Sequence, residues 1–440
     1  MHKKKGLGLF YKKTIHDIDI AGKRVLLRAD YNVPLNKNGT IASAYRIEQS
    51  IPTIRALQEK DCQIVICSHL GRPKNSNDSS CSLKPVAREL ARLLGDEVIF
   101  VNECVGDVVK QAVHSLKPRG VLLLENVRFH PEEESNDSDF AKSIIASTGA
   151  EVFVQDGFGV VHRAHATTDA IARELPAVAG LLLEREVDTI TNVMQQPERP
   201  LTAIIGGAKI TDKIDIIHAF LDKADVVAIG GAMANTFLKA QGVDVGSSLY
   251  DDTELDTAHE IMDKVRRVAR ERKFVFYLPQ DGVVASEIDK KSTTRIVDWD
   301  AHVIADIEAY PKRPERSASH VQKDEKILDI GPFSGAFIAG ALQLSNTVVW
   351  NGTMGVTEVD AVRGPVGPFS HGTELIIEAL AGKFGHRPFS LIGGGDTSAY
   401  IEERGMNDMF NHVSTGGGAS LELMAGRDLP GVSVLWDKDR

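Results

Sequence analysis

One pattern restricts this chain more than any other: short β-branched and leucine-rich runs alternate with segments of helical spacing along its 440 residues. The runs fall at 24–29, 63–68, 97–101, 121–124 and 152–155, and again at 203–205, 226–229, 274–278, 347–350 and 390–392. Each reads as a strand. Between them, 47–60 and 83–94 have helical spacing, and Val86, Leu90, Leu93 and Leu94 share one apolar face. Parallel neighbours need long crossovers, so strand alternating with helix predicts parallel sheets covered on both faces. The alternation pauses at 181–200, where an amphipathic helix is broken by Gln195-Gln196-Pro197-Glu198-Arg199-Pro200. The expected fold is therefore α/β: two doubly wound parallel-sheet (Rossmann-like) domains joined by a helical hinge. At roughly 150 residues per domain, the length allows two or three.

Composition narrows the function classes. Hydrophobic residues at 42% and charged residues at 25% exclude a disordered, collagen-like or coiled-coil chain. Fifty-one Lys+Arg against 61 Asp+Glu leave a net charge of -10, which argues against a nucleic-acid coat, so cationic sites, if any, must be concentrated. Cys62, Cys67, Cys81 and Cys104 show no C-x-x-C spacing, so neither a zinc site nor a disulfide framework is indicated. Lys12, Lys13 and His16 interrupt the N-terminus before an apolar signal segment can form. The uncharged stretch 330–357 contains glycines, Ser334, Gln343, Ser345, Asn346 and Asn351, and reads as buried helix and strand rather than a membrane span. A soluble, cytoplasmic protein without membrane or nucleic-acid partners is expected.

Ligands of open parallel sheets bind beyond the carboxyl ends of the strands. In the first half those ends lead into Arg28-Ala29-Asp30-Tyr31-Asn32, Ser68-His69-Leu70-Gly71-Arg72-Pro73, Glu125-Asn126-Val127-Arg128-Phe129 and Asp156-Gly157-Phe158-Gly159, then His162-Arg163-Ala164-His165; Arg46 opens the first helix. Five arginines converging on one edge of an acidic protein suit a small, multiply anionic substrate, because guanidinium forks bind carboxylate and phosphate bidentately. A single arginine is as readily a solvated surface charge, and His69 as readily a turn residue beside Gly71 and Pro73. A metal on His162 and His165 is disfavoured by Arg163 between them.

In the second half, Gly206-Gly207-Ala208-Lys209 follows a strand and is expected to open a helix carrying Lys209 and Lys213 on one face. Gly393-Gly394-Gly395-Asp396-Thr397 repeats the arrangement with a carboxylate placed to hold magnesium on phosphate oxygens, and Gly416-Gly417-Gly418 after Ser414-Thr415 forms a third candidate anion nest. No P-loop, dinucleotide fingerprint or protein-kinase catalytic loop is present. An anion pocket on one domain and a magnesium nucleotide site on the other suit phosphoryl transfer across a closing cleft.

Together with Trp350-Asn351-Gly352 and the run 414–419, these motifs resemble the 3-phosphoglycerate kinase family, in its order, from about Val25 to Val432. The resemblance implies an N-terminal phosphoglycerate-binding domain (1–183), a hinge helix (184–200), a C-terminal nucleotide-binding domain (201–421) and a tail (422–440) returning to the first. It implies that Asp30, Tyr31, Asn32, Arg46, His69, Leu70, Gly71, Arg72, Arg128 and Arg163 hold 3-phosphoglycerate or 1,3-bisphosphoglycerate. Arg46, Lys209 and Lys213 would be catalytic. Lys213, Asn351, Glu358, Gly394, Gly395, Asp396 and Thr397 would bind ADP or ATP, with Mg²⁺ on Asp396, and Gly416, Gly417 and Gly418 would donate N–H groups to the transition state. Reversible phosphoryl transfer to Mg-ADP by a monomer is the implied activity. Departures lie in the nucleotide half: Thr353 and Thr357 replace the family's Pro and Phe, Ile327 and Ala232 stand where it has glycine, and 363–368 is a Pro/Gly-rich insertion. A diverged paralogue with another nucleotide or small phosphorylated acid is one alternative; a non-catalytic binding protein, which would need no Arg46, Lys209, Lys213 and Asp396 set, is the other.

Overall fold

A computed structural model describes residues 10–75, 78–299 and 320–439. The chain divides by its contacts into two compact units, one formed by 1–192 with 415–440 and the other by 193–414.

The first unit is built on six parallel strands: β1 (Arg24–Arg28), β2 (Gln63–Cys67), β3 (Val98–Phe100), β4 (Val121–Leu123), β5 (Val152–Gln155) and β6 (Ala177–Ala179). Their order is β3-β4-β2-β1-β5-β6, with β1 in parallel register against both β2 and β5. Strand interiors such as Val25, Leu27, Ile64, Ile66 and Val154 are fully buried, as expected of a sheet covered on both faces. The helices Tyr45–Glu59 and Lys84–Leu94 place Ile47, Ile54, Leu57, Val86 and Leu90 in the same core. Chain order reverses between β1 and β5, so the loops that follow those two strands flank a crevice.

The second unit repeats this plan with β7 (Leu201–Ile205), β8 (Val226–Ile229), β9 (Val275–Tyr277), β13 (Thr347–Asn351), β14 (Phe389–Gly393) and β15 (His412–Val413) in the parallel order β15-β14-β13-β7-β8-β9. Its switch point lies between β7 and β13. A separate three-stranded antiparallel sheet, in the order β11-β10-β12, comprises β10 (Asp281–Ala285), β11 (Arg295–Asp298) and β12 (Lys326–Ile330). The uncharged stretch resolves into the helix Pro332–Gln343 and buried β13, and no helix among the described residues is long and apolar enough to cross a membrane.

The helix Leu181–Gln195 ends before Pro197, and the division between units falls within it, at Asn192 and Val193. The chain rejoins the first unit at Thr415, earlier than residue 422. Consequently the turn Gly416-Gly417-Gly418 packs with the first unit, not with the second as the sequence suggests: Gly416 lies against Phe158, Gly418 lies against His162, and Thr415 donates from both N–H (2.7 Å) and hydroxyl (2.8 Å) to the buried Glu186. Side-chain capping by a glutamate 229 residues away leaves no local sequence signal.

Candidate functional site

In the first unit the loop after β1 supplies Asp30, which is nearly buried. Its Oδ2 accepts from Arg46 Nη1 at 3.0 Å, and its Oδ1 accepts from the Asn32 N–H at 3.1 Å. Burial alone would raise the Asp30 pKa, but Arg46, His69 and Arg28 together hold it below the ordinary carboxylate value. Arg46 also donates to the Asn32 carbonyl at 3.2 Å, which fixes its guanidinium at two points. Asn32 Oδ1 accepts from the Gly71 N–H at 2.8 Å, and the Gly71 carbonyl accepts from Arg128 Nη1 at 2.9 Å. The loops after β1, β2 and β4 are thus tied into one network.

Arg72, Arg128 and Arg163 line a single cavity of about 340 Å³, together with His130, Pro131 and Glu134. Arg72 and Arg163 are exposed, whereas Arg128 is largely covered and paired through Nε with Glu134 at 3.3 Å. This cavity concentrates positive charge locally in a chain whose net charge is -10.

Three expectations change here. Tyr31 and Leu70 sit in the hydrophobic core, with the Tyr31 hydroxyl 2.9 Å from Ser50 Oγ, so only their main chain remains for a ligand. Arg28 does not join the converging arginines: it is 1% exposed, donates through Nε to Thr167 Oγ1 at 2.8 Å and lies 3.8 Å from Glu133. His69 is buried beside Asp30 (3.9 Å) and Arg28 (3.4 Å), and burial, reinforced by the surrounding arginines, lowers its pKa well below 6.5, so it acts as a neutral imidazole. Glu133 and Glu134 were missed because the acidic run at 132–134 has the pattern of a solvated surface.

Burial, with Arg128 and Arg28 nearby, brings His165 down from 6.5 to about 4. The unfolded chain binds a proton as pH falls through 6.5, and the folded chain only near 4, so this group's contribution to stability is complete above the upper value and lost towards the lower. His165→Gln is expected to flatten the slope of unfolding free energy against pH within that window. Urea melts with an unchanged slope would exclude the effect.

In the second unit, the loops after β7 and β13 meet at the switch point, where the Gly206 N–H donates to the Asn351 carbonyl at 2.8 Å. Lys213 donates from Nζ to Asn351 Oδ1, while Asn351 Nδ2 is buried without a hydrogen-bond partner among the described residues. Burial lowers the Lys213 pKa against the opposing pull of Asp396 and Asp212. A cavity of about 290 Å³ runs from Gly207, Gly231, Asp396 and Glu358 to an apolar end that includes Leu249, Ile288, Trp299 and Ile327. Asp396 is exposed in the first turn of the helix Gly395–Glu403. Gly394 precedes that helix with φ +95, close enough to Asn351 that a Cβ would lie 2.9 Å from its Nδ2, so only glycine suits the position.

The expected pairing of Lys209 and Lys213 on one helix face is not found. The helix begins at Ile214, and Glu254 accepts from Ile210 N–H and Thr211 N–H, both at 2.9 Å, which holds the preceding segment as a turn. Lys209 is exposed and lines neither cavity, with Asp251 as its charged neighbour. The Thr397 hydroxyl is buried and accepts from the Gly352 N–H at 2.7 Å. No group of three or more His, Cys, Asp or Glu that could hold a metal occurs among the described residues.

Two doubly wound units, one with an arginine-lined cavity and the other with glycine turns beside a half-buried lysine and an exposed aspartate, define a class of α/β proteins built to hold phosphorylated ligands. The family model for phosphoglycerate kinase matches residues 15–427. The phosphoglycerate kinase of Pelotomaculum thermopropionicum is 44% identical over 427 residues, covering 97% of this chain and 100% of that protein. That of Dictyoglomus turgidum is 42% identical over 430 residues, with the same coverage of 97% and 100%. Among solved structures, phosphoglycerate kinase from Coxiella burnetii superposes with a TM-score of 0.76 at 34% identity, covering 96% of this chain and 98% of that one. The enzyme from Pyrococcus horikoshii OT3 gives 0.79 at 28% identity, with the same 96% and 98% coverage. The chain belongs to the phosphoglycerate kinase family.

Proposed function

We propose that the protein is a phosphotransferase that moves the acyl phosphate of 1,3-bisphosphoglycerate to Mg-ADP, giving 3-phosphoglycerate and ATP, and runs the reverse reaction. The observation that carries this reading is the convergence of Arg72, Arg128 and Arg163 on one cavity in an acidic chain of this family. Three guanidinium groups match a ligand bearing a phosphate and a carboxylate. Asp30 and Asn32 position Arg46 for the moving phosphoryl group.

The nucleotide belongs to the second unit's cavity. Lys213 and the unpartnered Asn351 Nδ2 supply donors beside the glycine turn, and the cavity's apolar end suits a base. The exposed carboxylate of Asp396, on a cavity that the exposed Glu358 also lines, fits magnesium, which commonly takes one or two carboxylates and completes its shell with phosphate oxygens and water. Bound there, magnesium would neutralise phosphate charge. No covalent enzyme intermediate is needed, because an acyl phosphate is already activated and positioning with charge stabilisation suffices.

A coupled assay for ATP formation from 1,3-bisphosphoglycerate, run with ADP, GDP and other diphosphates, tests the activity; no turnover with any of them would overturn it. Arg72→Ala and Arg163→Ala are expected to raise KM for the phosphoglycerate by about 10-fold or more, since each removes a charge-assisted contact, and to leave nucleotide affinity nearly unchanged. If either variant mainly weakens ADP binding, the assignment of the acid to the first unit is wrong.

A further inference from the structure

We propose that Trp299 is a specificity-determining residue of the second unit's cavity: with Ile327 it forms the wall on which the base of a nucleoside diphosphate stacks. The proposal rests on reading that cavity as the nucleotide site.

The cavity is chemically two-ended. Gly207, Gly231 and Asp396 mark a polar end, and Trp299, Ile327, Ile288 and Leu249 an apolar one. Exposed Leu249 (65%) and Ile288 (52%) are flexible aliphatic side chains at the surface, whereas Trp299 is held from three sides. Its indole Nε1 donates to the Pro279 carbonyl at 2.9 Å, and its backbone N–H donates to the Gln280 carbonyl at 3.3 Å. Its ring edge covers Gly282 so closely that a Cβ there would lie 3.0 Å from Cη2, 3.1 Å from Cζ3 and 2.9 Å from Ile327 Cγ2. Glycine at 282 therefore lets both side chains lie down on β10. Beneath them Val284, Val297 and Val321 form a buried apolar cluster against which Trp299 and Ile327 pack.

A fixed aromatic surface at the apolar end of a phosphate-sized polar pocket is suited to a heterocycle, and its rigidity limits the ordering entropy lost on binding. The indole N–H is already satisfied by Pro279, and the Ile327 N–H by Ser248 Oγ at 2.8 Å, so neither donor is free to read the edge of a base. Recognition by this wall is by stacking and shape. It favours a ligand that carries a ring over bare polyphosphate and discriminates weakly among purines, since every base has a π-face.

Calorimetric titration of the full chain with Mg-ADP, Mg-GDP and magnesium tripolyphosphate tests this, using wild type, Trp299→Ala and Trp299→Phe. Trp299→Ala is expected to weaken ADP and GDP alike by about 5- to 150-fold, leave tripolyphosphate unchanged, and be largely rescued by Trp299→Phe. Equal losses for ADP and tripolyphosphate, or no loss for ADP, would overturn it. The chain has three tryptophans, of which Trp350 is fully buried, so quenching of intrinsic fluorescence by ADP gives a second measurement that does not depend on the alanine variant folding. Quenching that is the same in wild type and Trp299→Phe also overturns the proposal. Binding of neither ADP nor tripolyphosphate by wild type would instead overturn the nucleotide reading itself.

Discussion

Arg46→Ala is expected to lower kcat by about 10²- to 10³-fold, or about 3 to 4 kcal/mol of transition-state stabilisation, with little change in nucleotide affinity. The guanidinium is held at Nη1 by Asp30 Oδ2 (3.0 Å) and the Asn32 carbonyl (3.2 Å), so its orientation is set before any ligand arrives. A preorganised donor is worth most where charge develops during the reaction, because it pays no reorganisation at that moment. The substitution also strips the buried Asp30 of its strongest favourable charge, so the carboxyl pKa should rise. Arg46→Lys keeps the charge but loses the planar fork and is expected to recover only part of the rate. Steady-state kinetics with saturating ADP check the expectation; an unchanged kcat would remove Arg46 from the mechanism.

The same loop shows which parts of the site are legible in a sequence. Strand ends followed by polar and glycine-rich turns are local signals, and the sheet rule then brings Asp30, Asn32, Gly71 and Arg128 into one hydrogen-bonded network. Ten of the twelve parallel strands among the described residues were readable for a similar reason: β2 (Gln63–Cys67) and β7 (Leu201–Ile205) are mainly apolar and almost wholly buried, whereas β6 (Ala177–Ala179) and β15 (His412–Val413) are too short to stand out. The antiparallel sheet escaped because β10 starts with Asp281-Gly282 and β11 contains Arg295 and Asp298, so neither has the apolar run or clean alternation of a strand. Its residues are buried in two clusters, Val284 with Val297 and Val321, and Ala285 with Leu328 and Phe369, whose members are brought together from segments of the chain that are not adjacent. Lys213 was placed on a helix by its spacing from Lys209, but a distant carboxylate, Glu254, takes the N–H groups of Ile210 and Thr211 and defers the helix to Ile214. Long-range capping of this kind overrides local propensity and is invisible to it.

A large loss of folding stability is expected beneath the substrate loops, at a residue that reads as surface. Glu133 is fully buried, and its carboxylate accepts from Thr167 N–H (2.9 Å) and hydroxyl (2.6 Å) while lying 3.8 Å from Arg28. Burial raises its pKa, with Arg28 and Thr167 pulling the other way, so the pair exists under strain between desolvation and attraction. Glu133→Ala would take from the Arg28 guanidinium, itself 1% exposed, its ion-pair carboxylate at 3.8 Å, and breaking a buried pair typically costs about 3 to 5 kcal/mol. Replacing both, as in Arg28→Met with Glu133→Leu, removes the uncompensated charge and should restore most of that stability. Function should separate from stability in the double variant, because Arg28 Nη2 lies 3.4 Å from His69 Nδ1 and contributes to the low pKa of both His69 and Asp30. KM for the phosphoglycerate is therefore expected to stay raised when the melting curve has recovered. Urea melts and steady-state kinetics on the two single variants and the double variant decide between these roles. If the double variant recovers both, the pair serves packing alone; if Glu133→Ala unfolds at the wild-type urea midpoint, the ion pair is not what holds Arg28 in the core.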